Sequence, residues 1–174
     1  MVQYVLSYAL DVGYNQLDYK LRQDERVEVM ERVNFRFSKP EDFTKGKPQV
    51  ASIDVSFISL KLILPPLKDI LEMDGDVLVL IKPQFEAGRE RIGKKGIVSD
   101  PKVHQDVLEE ILEYCEQIGF SVNQLTFSPI TGGSGNIEFL AHLQLHETVT
   151  SSYDWKSDIQ TVVKEAHQQL KNLK

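Results

Sequence analysis

At 174 residues, 41% of them hydrophobic and 26% charged, the chain is long enough to bury a core of its own and short for two ordinary domains. A net charge of −6 excludes a nucleic-acid binder that works through a generally basic surface, and a single cysteine excludes a disulfide framework. No apolar run approaches the ~20 residues that span a bilayer, so a cytoplasmic protein with no membrane partner is expected.

Val2 to Val12 reads as an extended apolar run ending at Asp11-Val-Gly13, with Asn15 or Asp18 placed to open a helix. Arg26 to Met30 alternates with period two, as a half-buried strand does; Glu31 to Phe37 leaves it as a loop, and Pro40 opens one helical turn. Val50 to Asp54 is the next strand. Ser59 to Met73 is the next helix, and the Pro65-Pro66 pair inside it predicts a break or a kink. Asp76 to Ile81 is continuously apolar after its first residue, the pattern of a strand covered on both faces, and Pro83 stops it.

Gln84 to Asp100 is the least regular stretch, with three glycines and the basic residues Arg89, Arg91, Lys94 and Lys95, and a mobile loop is expected there. Pro101 to Gly119 is a well-signalled helix, capped by Asp100 and Gly119, with Cys115 on its apolar side as a buried structural thiol. Phe120 to Phe127 and Ile137 to Leu145 are strands joined through Thr131-Gly-Gly-Ser-Gly135, and a last amphipathic helix runs from about Asp154 to Leu170. Strands alternating with helices, then two successive strands, give one α/β domain over 1–174 that ends in a hairpin.

Three of these strands carry one ionisable residue at or near an end: Asp54, Lys82 and Glu138. In a parallel α/β sheet the carboxyl ends of the strands meet the loops that bind substrates, so the three can converge on one atom. Lys82 directly follows Val-Leu-Val-Leu-Ile, where a lysine is either partnered or snorkels outward. Glu138, between Ile137 and Phe139-Leu140, is either paired in a site or costly. A carboxylate, an amine and a second carboxylate suit proton abstraction from an alcohol. Asp11, after a strand and before a glycine, suits either ribose hydroxyls of a nucleotide or a simple turn. The four histidines share no metal-ligand spacing with these acids, so no metal is expected.

The blocks Asp11-Val-Gly-Tyr-Asn-Gln-Leu17, Lys20-Leu-Arg-Gln-Asp24, Ile53-Asp-Val-Ser-Phe-Ile-Ser-Leu60, Ile81-Lys-Pro-Gln-Phe-Glu-Ala-Gly88 and Gly135-Asn-Ile-Glu-Phe-Leu140 closely resemble the TlyA family, FtsJ-like RNA methyltransferases often labelled haemolysins. The resemblance runs from Asp11 to about Leu143. It implies a Rossmann-like methyltransferase sheet with helices on both faces and S-adenosylmethionine-dependent methylation of a ribose 2′-hydroxyl, with ribosomal RNA or a ribosomal subunit as partner. Asp54, Lys82 and Glu138 match three members of the family's Lys-Asp-Lys-Glu catalytic set. Asp11 would bind the donor's ribose, and Glu31 to Asn34, with Asp54 nearby, would border the rest of the donor.

Family members also begin with an RNA-binding module, the first catalytic lysine and a Gly-rich donor loop, and this sequence shows no match to them. Met1 falls just before the second strand of the implied fold, so a gap is expected between the strands ending at Asp11 and Asp54. A shortened gene product, a chain lacking its upstream part, or a dimer whose partner fills the space would each account for it. Two other readings remain, a membrane-active haemolysin and a non-catalytic remnant that binds a partner.

Overall fold

Alternation of buried and exposed residues along Asp76–Ile81 sets the orientation of everything packed on it: Val77, Val79 and Ile81 are buried while Leu78 is 52% exposed. A computed structural model describes residues 5–170. In chain order its elements are β1 (Ser7–Asp11), α1 (Tyr19–Arg22), β2 (Val27–Glu31), β3 (Val50–Ile53), α2 (Leu60–Ile70), β4 (Asp76–Ile81), α3 (Pro83–Glu86), α4 (Pro101–Ile118), β5 (Phe120–Phe127), β6 (Phe139–Leu145) and α5 (Trp155–Leu170). The first residues of the expected opening strand, 2–4, lie outside the described residues.

The strands form two sheets, β1-β2 and β3-β4-β6-β5. β1 pairs parallel to β2 and β3 parallel to β4, while β6 runs antiparallel to both β4 and β5. Among the described residues β1 pairs only with β2 and β3 only with β4, so the sheet order is interrupted between the strands ending at Asp11 and at Ile53. The two final strands make the expected hairpin. The resemblance implies helices on both faces; on the four-stranded sheet, α2, α4 and α5 share one core with Val77, Val79, Phe139, Ala141 and Leu143. The opposite face presents Val50 and Leu78, 61% and 52% exposed.

Local signals act largely where expected. Asp18, rather than Asn15, caps α1, its carboxylate accepting from the Lys20 amide at 2.8 Å, and α1 is a single turn. Asp100 caps α4 by the same contact to the Lys102 amide, and Gly119 ends it in the left-handed conformation at φ 109°. Cys115 is fully buried, and burial pushes its thiol up to about 12, the state of an inert core sulfur.

α2 departs from expectation: it runs through Pro65 and Pro66 without a break. Pro65 has no N–H for the carbonyl of Lys61 four residues earlier, and the Tyr114 hydroxyl donates to that carbonyl at 3.1 Å instead. The stretch from Gln84 to Asp100 is also more organised than its composition predicts. It holds α3, a 3₁₀ turn over Arg89–Arg91, and a tight turn in which the Gly93 amide donates to the Ile97 carbonyl at 2.9 Å. Among the described residues no helix is long and apolar enough to cross a membrane.

Candidate active site

Parallel strands end at the same pole, and an antiparallel neighbour begins there. Asp54 directly follows β3, Lys82 directly follows β4, and Glu138 directly precedes β6. The register Ile81↔Phe139, continued by one residue, sets Lys82 opposite Glu138.

Lys82 is held from one side. Its Nζ lies 2.6 Å from Asp54 Oδ1 and donates to Ser56 Oγ at 3.2 Å, with the lysine side chain 13% exposed and the aspartate 69% exposed. Glu138 is 7% exposed and is held differently, by Gln84, whose Nε2 donates to Oε1 at 2.9 Å. The carbonyl oxygen of the same Gln84 side chain is buried with no hydrogen-bond partner. Behind the Glu138 carboxylate lies Gly132, where a Cβ would fall 2.1 Å from Glu138 Oε1, so only glycine leaves room. The structure thus brings Asp54 and Lys82 into direct contact and places Glu138 across the strand pair, tied to the Lys82 segment through Gln84.

The block Lys82-Pro-Gln-Phe-Glu86 divides its labour. Lys82 and Gln84 face the strand-end groups, whereas Glu86 accepts from the Ser59 hydroxyl at 2.6 Å and the Leu60 amide at 2.8 Å, capping α2 from a distant segment. Burial pushes the Glu86 carboxyl above its usual range. Ser59 is the helix cap, and Ser56, three residues earlier, meets Lys82 instead. Phe57 between them stands 91% exposed at φ 61°, its ring 4.9 Å from that of Phe85.

Of the residues expected to bind a donor, Asp11 and Glu31 lie on the β1-β2 ribbon, Asn34 just beyond it, and Asp54 at the end of β3 in the other sheet. Asp11 and Glu31 are register partners at the ribbon's carboxyl end. Asp11 Oδ1 accepts from the Gly13 amide at 2.6 Å, and Asn34 Oδ1 accepts from the Arg36 amide at 3.4 Å. Glu31 is engaged: Arg22 Nη2 lies 2.5 Å from Oε1 and the Gln16 amide donates to the same oxygen, so the guanidinium holds the carboxyl down at about 2. Its visible work is to pin α1 to β2.

Ser56, Gln84 and Gly132 were not among the residues that strand ends and apolar runs pick out. Gln84 and Ser56 each follow a marked residue by two positions, Gln84 inside α3 and Ser56 in the loop after β3, and no periodicity signals the contact. Gly132 lies in a Gly-rich stretch that reads equally as a flexible joint.

The family model described as FtsJ-like methyltransferase matches residues 2–145. The chain is 58% identical over 169 residues to YqxC of Bacillus subtilis, a protein provisionally named an rRNA methyltransferase, covering 97% of this chain and 60% of that protein. It is 38% identical over 136 residues to the 16S/23S rRNA (cytidine-2′-O)-methyltransferase TlyA of Mycobacterium tuberculosis, covering 78% of this chain and 50% of that one. A solved Streptococcus thermophilus structure, provisionally titled a hemolysin, superposes with a TM-score of 0.93 at 55% identity over 97% of this chain and 60% of that chain. The chain therefore spans half to about three fifths of the length of these relatives. With the matched segment running through the ribbon and all three strand-end residues, the chain belongs to the FtsJ-like methyltransferase family.

Proposed function

We propose that the chain forms the catalytic part of an S-adenosylmethionine-dependent RNA methyltransferase that modifies a ribose 2′-hydroxyl of ribosomal RNA, free or within a ribosomal subunit, in the cytoplasm. The observation that carries this reading is Lys82, nearly enclosed and fixed by Asp54 and Ser56 opposite Glu138. An amine so held meets the needs of an alcohol that must be oriented and relieved of its proton as a bond forms to its oxygen. Asp54, 2.6 Å from Nζ, fixes the direction of the Lys82 side chain, and Glu138 stands in register across the strand pair as a second polar group for the hydroxyl. Support for the substrate comes from the name of the M. tuberculosis relative, which specifies the 2′-oxygen of a cytidine in rRNA.

The donor's chemistry fits the ribbon end. Asp11 offers a carboxylate to ribose hydroxyls at the end of a parallel strand, and the segment Glu31 to Asn34 borders it, with Asp54 across the interrupted sheet. When bound, S-adenosylmethionine supplies a methyl group on a positively charged sulfur. The exposed ring of Phe57, next in sequence to the Ser56 that meets Lys82, is suited to stack a base splayed from its neighbours.

The deciding experiment is Lys82→Ala, assayed by transfer of labelled methyl from S-adenosylmethionine to ribosomal RNA, with donor affinity measured by calorimetry. Transfer is expected to fall by about 10²-fold or more while donor affinity holds. Transfer at the parent rate would remove Lys82 from the chemistry, and loss of donor binding alone would move it to the donor site.

A further inference from the structure

The loop Gly88–Gly96 carries four basic residues and one acidic residue in a chain whose net charge is −6. The structure separates these cations into two kinds, which composition cannot do. Arg91 turns inward: its Nε donates to the Ala87 carbonyl at 2.5 Å and its Nη2 to Glu110 at 3.3 Å, with Asp106 at 3.9 Å. It fastens the loop to α4. Arg89, Lys94 and Lys95 are exposed, and no ion pair to any of them is found among the described residues. Lys45, Lys102 and Lys156 are paired, with Glu28, Asp106 and Glu113, whereas Lys68 and Lys164 outside the loop have no ion pair among the described residues either, so what distinguishes the loop is three such cations within seven residues.

The loop is also held in a set position relative to the active site. Asn136, 3% exposed and two residues before Glu138, accepts from the Val98 amide at 3.0 Å and donates to the carbonyls of Gly96 at 3.0 Å and Gly133 at 3.1 Å. On the far side, His104 Nε2 lies 3.1 Å from the Val98 carbonyl, and Val98 itself is buried. Gly96 makes the turn at φ 71°, a conformation most side chains avoid. A buried asparagine with three of its hydrogen bonds spent on two loops is an expensive way to order a surface segment unless the position of that segment matters.

We infer that Arg89, Lys94 and Lys95 form an arm that contacts the phosphate backbone of the RNA substrate, kept in register with Glu138 by Asn136. This rests on the RNA methyltransferase reading above and adds to it the surface that seats the strand. An overall acidic domain can bind a polyanion where a few uncommitted cations stand together beside the reacting group, because each phosphate contact releases condensed counterions. Contacts of this kind position the substrate without reading its sequence.

The test is the salt dependence of RNA binding by the full chain, measured by fluorescence anisotropy with a labelled single-stranded oligoribonucleotide from 20 to 200 mM KCl. Lys94→Gln with Lys95→Gln touches only exposed side chains and so leaves the fold intact. It is expected to reduce the slope of log K against log[salt] by about 1.4, at about 0.7 per lost contact to single-stranded RNA. Lys68→Gln with Lys164→Gln, outside the loop, is the control and is expected to leave the slope within about 0.3 of the parent. A parent-like slope in the Lys94/Lys95 variant overturns the arm. A parent chain that binds no RNA even at 20 mM KCl, while still transferring methyl to another acceptor, overturns the RNA reading itself.

Discussion

The two sheets are built to different standards. The four-stranded sheet and its helices share one contiguous core that includes Leu64, Leu108, Leu112, Phe120 and Phe139, all fully buried. The β1-β2 ribbon contains no fully buried residue in either strand. It is fastened by side-chain contacts: the Tyr8 hydroxyl donates to the Gly46 carbonyl at 3.0 Å and accepts from the Lys45 amide at 2.9 Å, and its ring meets Phe43 edge-on. A two-stranded ribbon is marginal without such support. The groups proposed to do the chemistry stand on the first region and, Asp54 apart, those proposed to hold the donor stand on or just beyond the second, so the two functions draw on different amounts of stability.

If that difference is real, the largest effect comes from the core. Leu112→Ala, at a site with no exposure, is expected to cost about 2 to 5 kcal/mol and to shift the urea midpoint of the whole chain. A loss below about 1 kcal/mol would mean the helical layer is looser than its burial implies.

Acid separates the regions next. Burial and the neighbouring His167 hold the His104 imidazole down at about 4. The folded state keeps it neutral where the unfolded chain, at about 6.5, takes a proton, so stability falls as pH drops from about 6.5 to about 4. The loss is on the order of 3 kcal/mol and belongs to the core. Glu31 on the ribbon has the same sign in a lower window: Arg22 holds its carboxyl down at about 2, so the stability of that pairing is complete above about 4.5 and is lost as pH falls from there toward about 2. Urea titrations at pH 7, 5, 4 and 3, with the His104 ring followed by NMR, check both windows. A His104 midpoint near 6.5 would end this account of acid sensitivity.

The smallest effect sharpens the contrast. Tyr8→Phe is expected to cost about 1 kcal/mol, felt as faster amide exchange in β1 and weaker donor binding, with the urea midpoint of the core unmoved. Equal slowing or quickening of exchange in β1 and β4 would show that the two sheets open together.

What the sequence made legible follows from how local each signal is. The strand ends at Asp54 and Lys82 and the caps at Ser59, Asp100 and Gly119 announce themselves within a few residues. Unbroken passage of α2 through Pro65 and Pro66 could not be read locally, because the compensating hydroxyl belongs to Tyr114 on another helix. Gln84 illustrates the same limit in the site: its partner Glu138 is 54 positions away, and nothing in the neighbourhood of Gln84 marks it. Glu31 shows the reverse case, a residue marked by family resemblance whose visible contacts are to Arg22 and Gln16.

The carboxylate of Glu86 reaches back 26 positions to close the first turn of α2. Ser59 caps the Lys61 amide locally, but the Leu60 amide of the same turn is satisfied only when β4 and α3 have brought Glu86 into place. A change that displaces the segment bearing Lys82 is therefore transmitted to the first turn of α2, and loosening of that turn reaches back to the wall of the active site.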